Sequence, residues 1–229
     1  MKKHTMDYKD IKGFGTFAKD QGISSMNLHY ANKQLESSMT PYILEERTMN
    51  VTQMDVFSRL MMDRILWVAG PVNDYMASIV QAQLLFLDNF DESDISMYID
   101  SPGGSVKAGL SMVDVMDYVR SDIATVNAGM AASMGSILLG AGTKGKRSSL
   151  RFSQTMLHQS SGGAVGNIQD AEISMIEWRK VNEQLFELLG EYCGKDPETV
   201  KNDASRDFWL SAAEAKEYGI IDEVIRKRT

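Results

Sequence analysis

The chain has 229 residues, 43% of them hydrophobic, which is enough for one α/β core but not for two large domains. Its net charge of −7 and its scattered lysines and arginines argue against nucleic acid as a main partner, because phosphate binding requires a clustered basic face. Cys193 is the only cysteine, which excludes an intramolecular disulfide, and no apolar run reaches the roughly 18 residues of a membrane span.

The first forty residues are polar, rich in glycine, serine and lysine, and without a sustained hydrophobic period. Such segments seldom bury enough apolar surface to order themselves. No apolar stretch follows Lys2 and Lys3, so the segment is not a secretory signal, and we expect a cytoplasmic protein. We expect residues 1–40 to be a leader or propeptide, disordered and removed, and residues 41–229 to form the folded domain.

From about residue 54 onward, strand, glycine turn and helix alternate. This alternation is typical of βαβ crossovers, and it predicts an α/β fold with a largely parallel sheet. We predict helices near 56–65, 74–91, 105–120, 131–142, 168–192 and 212–218, and strands at 65–68, 95–99, 124–128, 149–158, 208–210 and 221–225.

His158 is the one histidine in the part predicted to fold, since His4 and His29 lie in the leader. A general base that works near neutral pH is most often a histidine, because its charge changes in that range. His158 follows Met156-Leu157 at a predicted strand end, where a side chain can point into a cleft. A structural histidine is the alternative interpretation.

A candidate nucleophile lies in Gly129-Met130-Ala131-Ala132-Ser133-Met134-Gly135, where small residues connect a buried strand to a helix. Small side chains let a substrate backbone approach, and a helix N-terminus supplies free N–H groups and a partial positive charge. Ser133 is therefore the candidate, in an arrangement like the strand-to-helix elbow of G-x-S-x-G hydrolases. Close helix–sheet packing is the alternative, and we expect Ser136, one turn later, to pack.

Ser101-Pro102-Gly103-Gly104 follows a predicted strand and precedes a predicted helix. Tandem glycines can turn backbone N–H groups toward a ligand, as an oxyanion hole requires. The segment matches neither of the phosphate-binding patterns G-x-x-x-x-G-K-[ST] and G-x-G-x-x-G. A plain tight turn is the other interpretation.

Two aspartates, Asp203 and Asp207, lie close to aromatic residues near the end of the chain. Either could orient a catalytic histidine and stabilise its cation, although surface carboxylates are common. Cys193 is predicted to pack at a helix end, as free cysteines usually do. One histidine and one cysteine far apart do not form a zinc site, and no EF-hand spacing appears, so we expect no metal or other cofactor.

Together these segments resemble the Clp protease proteolytic subunit, a serine peptidase of the crotonase-like fold. The resemblance runs from about Thr40 to the C-terminus. The matching motifs are Tyr98-Ile99-Asp100-Ser101-Pro102-Gly103-Gly104, the nucleophile segment above, Met156-Leu157-His158-Gln159, Arg206-Asp207-Phe208-Trp209-Leu210-Ser211-Ala212 and Glu214-Ala215-Lys216-Glu217-Tyr218-Gly219-Ile220-Ile221-Asp222.

The resemblance implies a serine endopeptidase in which Ser133 is the nucleophile and His158 the general base. Asp207, rather than Asp203, is then the residue that orients the base. The backbone N–H groups of Gly104 and Met134 are implied to form the oxyanion hole.

The resemblance also implies repeated βαβ units with a protruding helix–strand handle at about 160–192, and assembly as two stacked heptameric rings. A hexameric AAA+ unfoldase of the Clp type would dock on the axial pores and use ATP to feed in unfolded polypeptides, while this chain binds no nucleotide. In the predicted handle helix, Trp178, Leu185, Leu188 and Leu189 form an apolar side that we expect to be uncovered in one subunit, as is typical of an interface.

Two departures from the family pattern carry expectations of their own. Ser160 stands where a proline usually follows His158-Gln159, so we expect the strand extension there to be looser. Ser205 stands where an acid often precedes Arg206, so we expect a weaker ring-to-ring contact.

Two alternatives remain open. A non-catalytic ring subunit of a Clp protease complex would only build the chamber, but such subunits typically lose members of the triad. A coenzyme A-dependent hydratase or isomerase would share the fold and an oxyanion hole, but it would lack a Ser-His-Asp set.

Overall fold

The computed structural model describes residues 42–47, 50–161 and 167–227. The predicted leader and residues 162–166 of the predicted handle lie outside the described residues. The chain separates into two compact units, Met1–Val56 and Phe57–Thr229. In the first, strands β1 (Tyr42–Arg47) and β2 (Asn50–Asp55) form an antiparallel hairpin, which the sequence analysis did not predict.

The remaining described residues alternate between strands and helices, as predicted. The strands are β3 (Ile65–Ala69), β4 (Ile95–Ser101), β5 (Ile123–Ala132), β6 (Arg147–Leu150), β7 (Gln154–Leu157), β8 (Phe208–Ser211) and β9 (Glu223–Ile225). The helices are α1 (Val56–Met62), α2 (Asp74–Phe90), α3 (Val106–Tyr118), α4 (Met134–Gly140), α5 (Ile168–Cys193), α6 (Pro197–Asp203) and α7 (Ala212–Tyr218).

Strands β3 to β9 form one mixed sheet that is largely parallel. The order β3-β4-β5-β6-β9 is parallel throughout, β7 also pairs in parallel with β5, and β8 pairs antiparallel with β7. Helices connect the parallel strands, because a parallel pair requires a crossover and each helix covers a face of the sheet. The prediction of repeated βαβ units in an α/β fold is confirmed.

The two halves of the long strand β5 pair with different strands. Residues 125–127 pair with β6, whereas residues 130–132 pair with β7. Asn127 is the last residue paired with β6 and is fully buried. Its side-chain amide donates to the carbonyl of Gln154 at 2.9 Å and to the hydroxyl of Thr155 at 3.2 Å, so β7 is fixed to the second half of β5.

The core lies between the sheet and its helices. Alternate residues of β4 are buried, as expected for a strand covered on one face, and α2 buries residues spaced three or four apart. Helix α4 is buried along its whole length, because its sequence is apolar or small on every side. The fully buried side chains include Leu84, Ile95, Met97, Ile99, Met112, Leu138, Leu139 and Leu157.

Two details of the predicted elements are wrong. Ala131 and Ala132 were expected to start a helix, but they are the last residues of β5, since pairing with β7 outweighs the helix propensity of alanine. Helix α6 was not predicted, although Asp196 caps it and Pro197 is its first residue, a common helix start.

The predicted handle helix is present as α5, but its apolar side is not uncovered as expected. Leu185 and Leu189 are buried in the core. The exposed large apolar residues of the helix are instead Ile168, Ile173, Met175 and Ile176, near its N-terminal end. The C-terminal part of α5 therefore belongs to the domain core, and only its N-terminal part presents apolar surface.

Candidate active site

Ser133 lies at the turn between β5 and α4. Its N–H donates to the carbonyl of Met156 at 2.9 Å, which continues the pairing of β5 with β7 by one residue. Its φ of 53° is positive, a rare value for a residue other than glycine. Although Ser133 is the N-cap of α4, its hydroxyl makes no capping hydrogen bond, so the turn leaves this hydroxyl available for another partner.

That partner is His158, which directly follows β7. Its Nε2 lies 2.8 Å from the Ser133 hydroxyl, and its Nδ1 lies 3.2 Å from a carboxylate oxygen of Asp207. The side chain of His158 is 21% exposed, whereas that of Asp207 is 63% exposed. The carboxylate of Asp207 thus remains in contact with solvent while it faces the imidazole ring of His158.

The register of the sheet explains why these three residues meet. Strands β5 and β7 are paired up to Ala132 and Met156, so Ser133 and His158 follow the ends of neighbouring parallel strands. In the antiparallel pair of β7 with β8, Leu157 is opposite Phe208. Because antiparallel partners run in opposite directions, the residue after Leu157 is next to the residue before Phe208, which is Asp207.

The geometry distinguishes the two candidate acids. Asp207 faces His158, whereas Asp203 accepts a hydrogen bond from the hydroxyl of Tyr218 at 3.0 Å. With Nδ1–H donating to Asp207, Nε2 carries the lone pair that can accept the proton of the Ser133 hydroxyl. The structure therefore brings together the serine, histidine and aspartate that the family resemblance selected.

The loop of Gly103 and Gly104 packs against the Ser133 turn. A Cβ on Gly103 would lie 2.6 Å from the Cβ of Ser133 and 2.8 Å from the N atom of Met134, so only glycine fits there. Gly103 and Gly104 both have positive φ, 89° and 151°, which glycine alone adopts easily. The hydroxyl of Ser101 holds the loop by donating to the carbonyl of Gly70 at 2.7 Å and accepting from the N–H of Gly103 at 3.1 Å.

Two backbone N–H groups, one on each of the segments that meet at Ser133, donate to no acceptor among the described residues. Met134 is the first residue of α4, so its N–H has no acceptor within the helix. The bridge between this loop and Val72 uses the carbonyl of Gly103 and the N–H of Ser105, and not the N–H of Gly104. The predicted oxyanion-hole donors, Gly104 and Met134, therefore belong to the two backbone segments that meet at Ser133.

Three further residues, Ser136, Trp178 and Asn182, lie near the site, and sequence reasoning did not assign them a role in it. Ser136 packs as expected: it is buried, and its hydroxyl donates to the Ser133 carbonyl at 2.6 Å. Trp178 and Asn182 contact Ser160, two residues after His158. The only sequence feature that could have suggested this contact is Trp178 itself, since a half-buried indole N–H usually finds an acceptor.

Cys193 is the last residue of α5 and lies apart from the serine, histidine and aspartate. Burial raises the pKa of its thiol to about 12, although Arg147 and Lys195 act in the opposite direction. A thiol that stays protonated is a poor nucleophile. Within the described ranges, no helix has the length and apolar character needed to span a bilayer.

Comparison with known proteins identifies the family. The Clp protease family model matches residues 47–228. Curated relatives named ATP-dependent Clp protease proteolytic subunit are 50% identical in Bacteroides fragilis and 49% identical in Bacteroides thetaiotaomicron, each over 96% of this chain and 99% of the relative. A relative of that name in Porphyromonas gingivalis is 48% identical over 90% of this chain and 93% of its own length. On the strength of matches that span nearly its whole length, the chain belongs to the Clp protease family.

Proposed function

We propose that this chain is a serine endopeptidase, the proteolytic subunit of an ATP-dependent Clp protease. The observation that carries the proposal is the hydrogen-bonded row of Ser133, His158 and Asp207, with distances of 2.8 and 3.2 Å. The resemblance of the whole chain to Clp protease proteolytic subunits supports the same activity.

In the first half of the reaction the Ser133 hydroxyl attacks the carbonyl carbon of a peptide bond and transfers its proton to Nε2 of His158. Asp207 stabilises the imidazolium that forms and keeps Nδ1 protonated. The N–H groups of Gly104 and Met134 donate to the negative oxygen of the tetrahedral intermediate. When the intermediate collapses, His158 gives its proton to the leaving amine, and an acyl-enzyme on Ser133 remains.

In the second half a water molecule attacks the acyl carbon while His158 accepts one of its protons. The second intermediate uses the same two N–H donors. Its collapse returns the proton from His158 to the Ser133 oxygen and releases the new carboxyl terminus. Every proton moves between Ser133, His158, water and substrate, so we propose that the chain needs no metal or other cofactor.

The larger assembly is part of the proposal. Two stacked heptameric rings would enclose the active sites, and a hexameric AAA+ unfoldase of the Clp type would hydrolyse ATP and deliver unfolded polypeptides. The exposed Ile168, Ile173 and Ile176 of α5 support a ring-to-ring contact, because neighbouring exposed apolar residues are typical of interfaces. We place this assembly in the cytoplasm, and we assign residues 1–40 as a removable leader before a catalytic domain at 41–229.

The two alternatives are less well supported. A non-catalytic ring subunit would have no use for a serine, a histidine and an aspartate within hydrogen-bond distance of one another. A coenzyme A-dependent hydratase or isomerase would use the N–H donors beside Gly103 without the nucleophile at Ser133.

Two measurements test the proposed mechanism. A fluorophosphonate probe should label the full-length protein, and Ser133→Ala should abolish the labelling. Ser133→Ala should also lower the peptidase rate at least about a thousandfold, as triad losses do elsewhere. Retention of near-full activity in Ser133→Ala would eliminate the mechanism.

Asp203 provides a matched control for the proposed catalytic acid, Asp207. Asp207→Asn should lower the rate by a similar factor, because it permits the wrong tautomer of His158. Asp203→Asn, which alters only the contact with Tyr218, should leave the rate unchanged. If Asp203→Asn proved to be the damaging change, the assignment of the acid would be wrong.

A further inference from the structure

The backbone on the C-terminal side of His158 is fixed to two different helices. Gln159 is fixed to the end of α6: its N–H donates to the carbonyl of Ala204 at 3.0 Å and its side-chain amide to the carbonyl of Ser205 at 3.2 Å. Ser160 is fixed to α5. A groove of about 980 Å³ is lined by residues of both helices, and its lining includes His158 and Asp207.

Ser160 makes three hydrogen bonds to α5. Its N–H and its hydroxyl both donate to Oδ1 of Asn182, each at 2.9 Å. The same hydroxyl accepts from the indole N–H of Trp178 at 2.7 Å. Trp178 and Asn182 are four residues apart and therefore lie on one side of the helix.

These hydrogen bonds depend on a serine at position 160. A proline has neither an N–H nor a hydroxyl, so it could form none of the three. All three side chains are half-buried, which shields the hydrogen bonds from water and makes them stronger than bonds on an open surface.

Small movements of this segment would affect His158 strongly. The distance of 3.2 Å between Nδ1 and Asp207 is already at the long end of the range for an N–H···O hydrogen bond. A shift of the backbone at residues 158–160 away from α5 would lengthen either the distance from Nδ1 of His158 to Asp207 or the distance from its Nε2 to Ser133.

We propose that Ser160, Trp178 and Asn182 form a clasp that positions His158 between Ser133 and Asp207. The clasp consists of the three hydrogen bonds above, and its members are positioning residues that do not touch the substrate's reacting atoms. This inference rests on the proposed peptidase function. It makes the position of α5 a determinant of the rate of nucleophilic attack.

Two nearly isosteric substitutions at one position test the clasp. Asn182→Leu keeps the approximate shape but removes the oxygen that accepts both donors of Ser160. Asn182→Asp keeps such an oxygen. We expect Asn182→Leu to lower kcat about tenfold with KM unchanged, since misplacement of a catalytic group lowers the rate without weakening substrate binding. Asn182→Asp should retain most of the kcat.

A second pair of variants distinguishes the loss of the clasp from the loss of any half-buried, hydrogen-bonded hydroxyl. Ser160→Ala should lower kcat and slow the labelling of Ser133 by fluorophosphonate, which reports activation of the nucleophile without peptide binding. Ser111→Ala is the control, because the Ser111 hydroxyl also accepts one hydrogen bond, from Gln81 at 2.6 Å, and donates another, to Ala108 at 2.8 Å, but it joins α2 to α3. It should behave like the wild type.

The outcomes separate the clasp from the peptidase function itself. If Ser133→Ala is inactive but Asn182→Leu and Ser160→Ala match the wild type in kcat and labelling rate, the clasp is refuted and the peptidase stands. If Asn182→Leu and Asn182→Asp lose activity equally, the accepting oxygen is not what matters, and the clasp is again refuted. If Ser133→Ala remains active, the proposed function itself fails.

Discussion

The missing side chain of Gly103 allows the loop before α3 to lie directly against the turn that carries Ser133. We expect Gly103→Ala to lower kcat/KM at least about a hundredfold, because the new methyl group would displace the N–H donors of the oxyanion hole, and loss of one such donor has this effect. Peptide hydrolysis and fluorophosphonate labelling would measure the loss.

A second glycine provides the control for this substitution. Gly145 has almost the same φ as Gly103, 90° against 89°, but a Cβ there would meet no atom within 4 Å. Gly145→Ala therefore carries a similar torsional strain without the close contact, and it should retain activity. Equal activity in the two variants would show that contact with the Ser133 turn is unimportant.

At the scale of elements, Arg147 and Asp222 join β6 to the last turn of α5 and to the segment that follows α7. Arg147 donates to the carboxylate of Asp222 and to the carbonyls of Tyr192 and Gly219. Burial by itself raises the pKa of Asp222, but the hydrogen bonds from Arg147 and from the N–H of Gly145 outweigh it and hold this pKa below its usual value of 3.8. The pair therefore stabilises the fold most when the carboxylate is charged.

This shift predicts a pH dependence of stability. Because the folded-state pKa of Asp222 is lowered, its contribution is fully present above the unfolded value and is lost as the pH falls through the folded value. We expect Asp222→Asn to reduce the free energy of unfolding by about 3 kcal/mol at pH 7, since it leaves the buried Arg147 without its counter-charge. Urea unfolding at pH 7 and at pH 3 would measure this, and the deficit should shrink in acid.

An exposed carboxylate in an ion pair is the control. Asp94 contacts Lys146 at 2.7 Å, but its side chain is 53% exposed, so Asp94→Asn should cost less than about 1 kcal/mol. A deficit for Asp222→Asn that stayed constant between pH 7 and pH 3 would contradict the role given to its charge.

For the whole molecule we expect a cylinder of fourteen subunits whose rings separate at high salt. Arg206 is exposed beside Asp207, and with Ser205 in place of an acid the charge contact between rings should be weak and easily screened. Arg206→Ala should separate the rings at lower salt than the wild type requires. Single rings should be poorly active, because α5 would then lose support while it holds the clasp on His158.

Light scattering and peptidase assays on the same samples across a salt series would measure this coupling. Activity that follows the fraction of double rings is the expected result. A fully active monomer, or activity that does not change as the rings separate, would rule the coupling out.

Sequence reasoning predicted the local structure well where it depends on local pattern. The βαβ alternation, the small residues around Ser133 and the position of His158 after a strand are all present in the structure. The choice between Asp203 and Asp207 could not be derived from spacing, because it depends on the antiparallel pairing of β7 with β8. The family resemblance selected Asp207, and the register explains that choice.

The hydrogen bonds that Ser160 makes to α5 could not be predicted from the neighbours of Ser160 in the chain. The absence of a proline suggested a looser strand extension, but it could not indicate that Ser160 bonds to partners 18 and 22 residues further along in α5. Residues 162–166, where the strand extension was expected, lie outside the described part. Ala131 and Ala132 illustrate the same limit, because their strand conformation is set by β7 and not by their own propensity.

The positive φ of Ser133 has a consequence for the choice of an inactive form of this protein. Such a torsion is unfavourable for every residue with a Cβ, by about 1–3 kcal/mol, and glycine alone escapes it. Replacing the serine with glycine would therefore remove the hydroxyl and relax the turn together, whereas alanine removes the hydroxyl and retains the constraint. Ser133→Ala is therefore the better inactive variant for capturing a bound but uncleaved polypeptide. Its turn at residue 133 keeps the backbone conformation that the substrate meets in the active enzyme.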